Sequence, residues 1–193
     1  MSLKILGGKF KGRILSSPKT DSTRPTLAVM RQAVFNILQT EIEEADLLDL
    51  YAGSGAMGLE ALSRGAKSAT FVEADRSAFH CIKENVKLLK VETCCTLVSY
   101  DALLALKKFV KSQVAFDIVY VDPPYAPAAK LKLLEELLTF FDTQELIRPG
   151  GRVFLEEAAP GVLRPQELQF NSLRHVDSRS FSKSTLHQFQ RQN

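Results

Sequence analysis

The stretch DLLDLYAGSGAMGLEALSRGA, residues 46–66, sets the pattern for the rest of the chain. Leu47, Leu48, Leu50 and Tyr51 form an apolar run of strand length. Gly53, Gly55 and Gly58 interrupt it, and Leu59, Ala61 and Leu62 resume at helical spacing. The pattern predicts strand, glycine turn, helix. A residue without a Cβ tolerates positive φ and close backbone approach, and the helix start that follows offers unpaired N–H groups under a partial positive charge. Such a turn suits a nucleotide-like ligand. The G-x-G-x-x-G spacing alone is equally compatible with a structural strand-to-helix turn, so the rest of the chain has to discriminate.

Outward from this stretch, strand and helix alternate. The strand ending at Tyr51 is followed by a helix from about Met57 to Ser63, a strand from Ser68 to Glu73, and a helix from Arg76 to Leu89 with Phe79, Ile82, Val86 and Leu89 on one face. Next come a strand from Cys94 to Val98, a helix from Ala102 to Val110, a strand from Phe116 to Val121, a Leu-rich helix from Lys130 to Phe141 and a strand from Arg152 to Glu156. The tail from Phe170 to Phe189 suggests two more strands. Short apolar strands separated by amphipathic helices cannot pair as hairpins, so the expected fold is α/β, with a mostly parallel sheet of seven strands covered by helices on both faces.

Before that domain, residues 1–45 read as an N-terminal basic extension, and 46–193 as the main domain. Leu3 to Leu6 and Lys9 to Leu15 look like two short strands joined at Gly7-Gly8, followed by a loop rich in Ser, Thr and Pro as far as Pro25. Thr26 is a candidate cap for a helix whose apolar face is Val29, Ala33, Phe35, Ile37 and Leu38, with Arg31, Gln32 and Asn36 pointing elsewhere. In the first 40 residues Lys4, Lys9, Lys11, Arg13, Lys19, Arg24 and Arg31 stand against the single acid Asp21, whereas the whole chain carries only +3. A local excess of this kind attracts phosphate backbones, and a solvated basic face with no partner is the competing reading. Arg24 and Arg31 are expected near the entrance to the main site; alternatively they only solubilise the segment.

In open α/β sheets ligands gather at the carboxyl ends of the strands. Asp49 stands just before the glycine turn. Glu73, 20 residues after Gly53, ends the second strand and can accept the two hydroxyls of a ribose or serve as a helix-capping acid. Asp101 follows the third strand and can receive an amino group such as that of adenine, cap the next helix, or do both. Asp122-Pro123-Pro124-Tyr125 follows the fourth. Two prolines fix φ and remove two donors, leaving a turn that presents carbonyl oxygens and a carboxylate. An exocyclic amine on a nucleobase is a poor nucleophile because its lone pair is delocalised into the ring. Asp122 and the Pro123 carbonyl can hold its two hydrogens and favour a pyramidal nitrogen, while Tyr125 stacks on the base with a gain of roughly 1–3 kcal/mol.

Composition narrows the class. No apolar run in the 193 residues approaches the roughly 20 needed to span a bilayer, no signal-peptide pattern opens the sequence, and 45% hydrophobic residues suffice for a full core. A soluble protein is expected. Cys81 and the adjacent Cys94 and Cys95 lack C-x-x-C spacing, so reduced thiols, a cytoplasmic location and no metal site are expected.

Residues Asp49 to Gly58 with Glu73, Asp101 and Asp122 to Tyr125 resemble the class I, Rossmann-like methyltransferases that use S-adenosylmethionine to modify exocyclic amines of nucleic-acid bases. A wider set of motifs is similar to the bacterial 16S ribosomal RNA guanine-N2 methyltransferases of the RsmD family. It comprises Gly7 to Arg13, Arg24-Pro25-Thr26 with Arg31, Phe35-Asn36, Tyr51 to Ala66, Phe71-Val72-Glu73, Asn85, Phe116 to Tyr125, and Pro149-Gly150-Gly151 with Glu156. The resemblance covers residues 4 to 190. It implies that Asp49 and the turn containing Ala52, Gly53, Ser54, Gly55 and Gly58 hold the methionine and ribose portions of S-adenosylmethionine. Glu73 would bind the ribose, Asp101 the adenine amine, and Asp122, Pro123 and Tyr125 the guanine. It further implies that Lys9, Lys11, Arg13, Arg24 and Arg31 approach 16S rRNA in an assembling 30S subunit, with the protein acting as a monomer. Phe10 replaces a tryptophan usual in the family, and Leu27 to Met30 are more apolar than its pattern. A DNA adenine-N6 methyltransferase would share the amine chemistry, a nicotinamide oxidoreductase would share the glycine turn and Glu73 but would not need Asp-Pro-Pro-Tyr, and a non-catalytic RNA-binding or assembly factor would need neither.

Overall fold

The computed structural model describes residues 2–18, 25–123, 130–158, 161–181 and 184–193. Helix α1 spans Pro25–Ile37, β1 Asp46–Leu50, α2 Ala56–Ser63, β2 Ser68–Val72, α3 Arg76–Leu89, β3 Cys95–Val98, α4 Ala102–Lys111, β4 Phe116–Val121, α5 Lys130–Thr143, β5 Ile147–Ala158, β6 Leu173–Phe181 and β7 Ser184–Arg191. The strands form one sheet in the order β3-β2-β1-β4-β5-β7-β6. Strands β1 to β5 pair in parallel, while β7 runs antiparallel to β5, and β6 to β7. The chain therefore has the mostly parallel seven-stranded sheet expected of a class I methyltransferase fold. No helix among the described residues is long and apolar enough to cross a membrane.

Two cores explain why the strands read as continuous apolar runs. On one face Leu47, Phe71, Ile118, Tyr120 and Phe154 pack with Phe35 of α1 and Leu38 just after it, Leu59 and Leu62 of α2, and Ile82 and Val86 of α3. On the other, Leu48, Leu50, Val72, Val119, Val121 and Leu155 pack with Ala105 and Leu106 of α4 and Leu137, Leu138 and Phe141 of α5. Successive residues of β1 thus serve opposite cores, as the two-residue period of a strand requires. Buried on both faces, the central strands have no room for the polar alternation of a half-exposed sheet.

The described part of the N-terminal segment packs into the main core. Ile5, Leu15, Met30, Val34, Phe35 and Leu38 are buried in the same core as α2 and α3. Among the described residues, this segment differs from the rest in sequence character while sharing its core. Hairpin-like pairing does exist, with one antiparallel bridge between Lys4 and Ile14 and backbone bonds from Ile5 N–H to Arg13, Gly12 N–H to Ile5 and Leu15 N–H to Leu3. Gly8–Phe10 forms a short 3-10 turn, and two full strands do not develop. The cause lies across the core, where Leu6 and Gly7 give their N–H groups to the carboxylate of Glu60, both at 2.7 Å.

Glu60 is fully buried. It also accepts from Arg64 Nε at 2.8 Å and pairs with Arg31 Nε at 3.5 Å, while Arg31 Nη2 donates to the Lys4 carbonyl at 2.8 Å. Ser63 donates to the Gly7 carbonyl and accepts from Phe10 N–H, and the Arg64 guanidinium lies 5.0 Å from the Phe35 ring centre. These bonds rotate α1 relative to the face expected from sequence. Met30, Arg31, Val34, Phe35 and Leu38 point inward, and Val29 is 55% exposed. The helix also begins at Pro25, a residue suited to the first helical position because its missing N–H would have no intrahelical partner there.

Removing one side of a buried charged cluster leaves the others unpaired in a poor dielectric. Glu60→Ala should therefore cost about 3–5 kcal/mol of stability, measured by urea denaturation. The wild type should unfold in one transition with coincident probes, because the N-terminal segment has no core of its own.

Candidate active site

The ends of four parallel strands lie side by side. Asp122 N–H bonds the Leu50 carbonyl at 3.3 Å, Ala52 N–H the Val72 carbonyl at 3.0 Å and Glu73 N–H the Val98 carbonyl at 3.1 Å, carrying the ladder just past the strand ends. Asp122, the glycine turn, Glu73 and the beginning of α4 at Asp101 consequently share one rim of the sheet.

The turn is held from several sides. Gly53 N–H donates to Glu73 Oε2 at 2.7 Å, Gly55 N–H to the Ala52 carbonyl at 2.7 Å and Gly58 N–H to Asp49 Oδ2 at 2.9 Å. Gly58 is dictated by packing, since a Cβ there would stand 2.4 Å from the Phe71 ring. Gly53 differs, with φ of +54° and nothing within 4 Å of where a Cβ would be. It faces open space in a backbone conformation that favours glycine. A cradle open on the Gly53 side, followed by the N-terminus of α2 and flanked by the Glu73 carboxylate, fits the methionine and ribose portions of an adenosyl donor.

The candidate acids divide by role. Asp49 is only 2% exposed and shapes the turn from inside through Gly58, so its carboxylate acts on the loop and not directly on a ligand. Burial pushes its pKa up to about 7; the neighbouring Glu73 charge adds to this, and the Gly58 N–H and Arg31 oppose it. Glu73 spends Oε2 on Gly53 N–H and Oε1 on Asp75 N–H at 2.8 Å. The cap of the following helix falls to Asp75, which accepts from Ala78 N–H, so Glu73 is left to fix the turn. Asp101 does cap α4, accepting from Leu103 and Leu104 N–H on a single oxygen, Oδ1. Asp122 is half-buried and Pro123 buried at the end of β4. Tyr125, the last of the expected base-binding residues, lies outside the described residues, as does Arg24.

Of the basic residues expected at RNA, Lys9, Lys11 and Arg13 are exposed, with Lys9 Nζ 4.9 Å from the Phe10 ring centre. Arg31 is a correction. It is 4% exposed and committed to Glu60 and the Lys4 carbonyl, with burial drawing its pKa below the ordinary value despite Glu60. It is unavailable to a phosphate because its partner on α2 is closer and already desolvated.

Sequence reasoning named Glu156 and Tyr120 only as parts of motifs and gave no role to the polar layer they form beneath Asp122. Asp49 pairs in register with Tyr120, and Tyr120 with Phe154. The Tyr120 hydroxyl donates to Glu156 Oε2 at 2.6 Å, both residues being buried. Burial, then the charges of Glu156, Asp122 and Asp49, holds this phenol well above its usual pKa, so it remains a neutral donor. The signal was a glutamate following Val153, Phe154 and Leu155 in an apolar strand. Glu60 amid Leu59, Ala61 and Leu62, and Asn85 between Ile82 and Val86, are signals of the same kind.

The model of the family described as Conserved hypothetical protein 95 matches residues 3–190. The chain belongs to this family. Over 154 residues it is 34% identical to the Ribosomal RNA small subunit methyltransferase D of Escherichia coli K12, an alignment covering 80% of this chain and 74% of that protein. The protein of the same description from Haemophilus influenzae is 31% identical over 154 residues, 80% of this chain and 78% of that one. Among solved structures, yhhF from Escherichia coli superposes with a TM-score of 0.82 at 28% identity, covering 100% of this chain and 99% of that one. A T. thermophilus 16S rRNA N2 methyltransferase solved with AdoMet and guanosine shares the fold at a TM-score of 0.66 and 19% identity, over 91% of this chain and 45% of that one.

The Asp49 pKa makes a prediction about stability. Because the folded-state value of about 7 lies above the ordinary 3.8, the folded protein bears no penalty at low pH, where the carboxyl is protonated folded or unfolded. As pH rises above 3.8 the unfolded carboxyl ionises while the folded one keeps its proton, so stability falls until the buried group also ionises near pH 7, and then levels off. Asp49→Asn keeps an oxygen for Gly58 N–H without that charge. Its stability relative to wild type should therefore rise by on the order of a few kcal/mol between about pH 4 and pH 8, read by denaturant titration at each pH.

Proposed function

We propose that the chain transfers a methyl group from S-adenosylmethionine to the exocyclic N2 amine of a guanine in 16S ribosomal RNA of the small subunit. The observation that carries this is the meeting, on one rim, of an open glycine cradle with Asp122 and Pro123 at the end of β4, tied by the Asp122 N–H bond to Leu50 at the foot of the cradle. The names of the relatives at 34% and 31% identity support the class of reaction and of substrate.

When bound, S-adenosylmethionine supplies an electrophilic methyl group on a sulfonium centre. Each Glu73 oxygen carries one backbone N–H and retains a lone pair for a ribose hydroxyl. The α4 cap occupies Asp101 Oδ1 and leaves Oδ2 for the adenine amine. On the substrate side, the Asp122 carboxylate and the Pro123 carbonyl accept the two amine hydrogens and aim the nitrogen lone pair toward the cradle. As the nitrogen takes the methyl group the methyl–sulfur bond would break to release S-adenosylhomocysteine, Asp122 would stabilise the positive charge on nitrogen, and one N–H proton would then be lost to solvent, in a site where proximity supplies much of the rate. Tyr125 stacks on the base. The exposed Lys9, Lys11 and Arg13, with Arg24 following in sequence, meet the RNA backbone.

The test is transfer of labelled methyl from S-adenosylmethionine to small subunits lacking the modification, beside naked ribosomal RNA and duplex DNA. A single labelled guanine N2 is expected. Asp122→Ala should lower kcat by about 10²–10⁴ while S-adenosylhomocysteine binding, by calorimetry, stays within about threefold. A parallel fall in both would remove the proposed role of Asp122, and label only on DNA adenine would overturn the substrate. Replacing Lys9 and Lys11 by Ala should weaken RNA binding without sequence preference and flatten the plot of log affinity against log salt by about one for each phosphate no longer neutralised.

A further inference from the structure

Asn85 has no exposed surface and sits on the apolar face of α3, between Ile82 and Leu89. Its amide joins two distant segments. Nδ2 donates to the carbonyl of Ser54, inside the glycine turn, at 2.9 Å, and to the carbonyl of Ser16, in the N-terminal arm, also at 2.9 Å. Oδ1 accepts from Ser16 N–H at 2.7 Å. The orientation is unambiguous, because a flipped amide would set oxygen against two carbonyls and NH₂ against an N–H. Ser16 and Ser54 are thereby bonded through one buried side chain whose polar atoms are all engaged.

We propose that Asn85 is a positioning residue that couples occupancy of the donor cradle to order in the N-terminal arm. A ligand seated against Gly53-Ser54-Gly55 restrains the Ser54 carbonyl, Asn85 carries that restraint to Ser16, and the arm between Ile14 and Pro18 stiffens. Coupling of this kind is reciprocal, so a partner that orders the arm tightens donor binding by the same factor. It needs no change of fold, since one ligand meets the ordering cost before the other arrives. Ser16 precedes Lys19 and Arg24 in the basic segment, so the link would let the enzyme grip RNA more firmly when the donor is in place. The inference rests on the reading that the Ala52–Gly58 turn takes S-adenosylmethionine; it does not depend on which nucleotide is modified.

The test is amide hydrogen exchange of the full chain with and without saturating S-adenosylhomocysteine, with binding measured by calorimetry on the same samples. In wild type the Ser16 amide should slow by about tenfold. The Gly12 amide, bonded to Ile5 within the arm itself, should change by less than about twofold. In Asn85→Ala the ligand should still bind, and its effect on Ser16 should vanish. Binding without a change at Ser16 in wild type overturns the coupling, and that result stands even if the variant does not fold. Equal slowing of Ser16 and Gly12, or slowing of Ser16 that survives in Asn85→Ala, would mean general stabilisation or direct ligand contact and also overturns it. Absence of S-adenosylhomocysteine binding to wild type would instead refute the donor reading on which the inference stands.

Discussion

A carboxylate with no exposed surface, Glu60, ties the N-terminal segment to α2. It receives two backbone N–H groups from the N-terminal segment, the guanidinium of Arg64 and the charge of Arg31. A buried charge is tolerable only when its partners are near and well aimed. Satisfying Glu60 therefore dictates where residues 4–7 run, how α1 is rotated and where the basic turn at Lys9 and Lys11 emerges. Because Glu60 lies on α2, directly after the glycine turn, the segment expected at RNA is anchored to the helix that follows that turn.

The rim itself follows from burial on both sheet faces. Strands that alternate between two cores have few positions for polar side chains, so functional groups collect where the strands end and the helices have yet to begin. Asp122, Glu73 and Asp101 stand there, and the backbone ladder that continues past β4, β1, β2 and β3 sets their spacing. Exceptions inside the sheet are costly and correspondingly informative. Asp49 holds Gly58 from below, and Tyr120 donates to Glu156 beneath Asp122, so a layer of buried polar groups supports the site.

Much of this was legible in the sequence because it is local. The run from Leu47 to Leu62 carries strand, turn and helix in its own spacing, and strand ends could be located from Glu73, Asp101 and Asp122 without knowing their neighbours. Arg31 was misread because its neighbours in sequence, Gln32 and Asn36, suggested a solvated face. Only Glu60, on another helix, turns that arginine inward. The hairpin-like pairing around Gly7-Gly8 was legible for the same local reason, but not the acceptor that holds it, since the N–H groups of Leu6 and Gly7 find Glu60 53 or more residues away. Asn85 could be flagged as polar on an apolar face, but its partners Ser16 and Ser54 could not be named.

By itself, then, the sequence determined the order of elements, the parallel sheet, the glycine cradle and the acids at the strand ends, because each is written in hydrophobic period or in the backbone chemistry of glycine and proline. Tertiary structure alone decided which polar groups stay at the surface and which serve the scaffold. Asp49 and Arg31 turned inward while Lys9 and Lys11 remained outside, since the cost of burying a charge depends on partners that meet it only when the chain has folded.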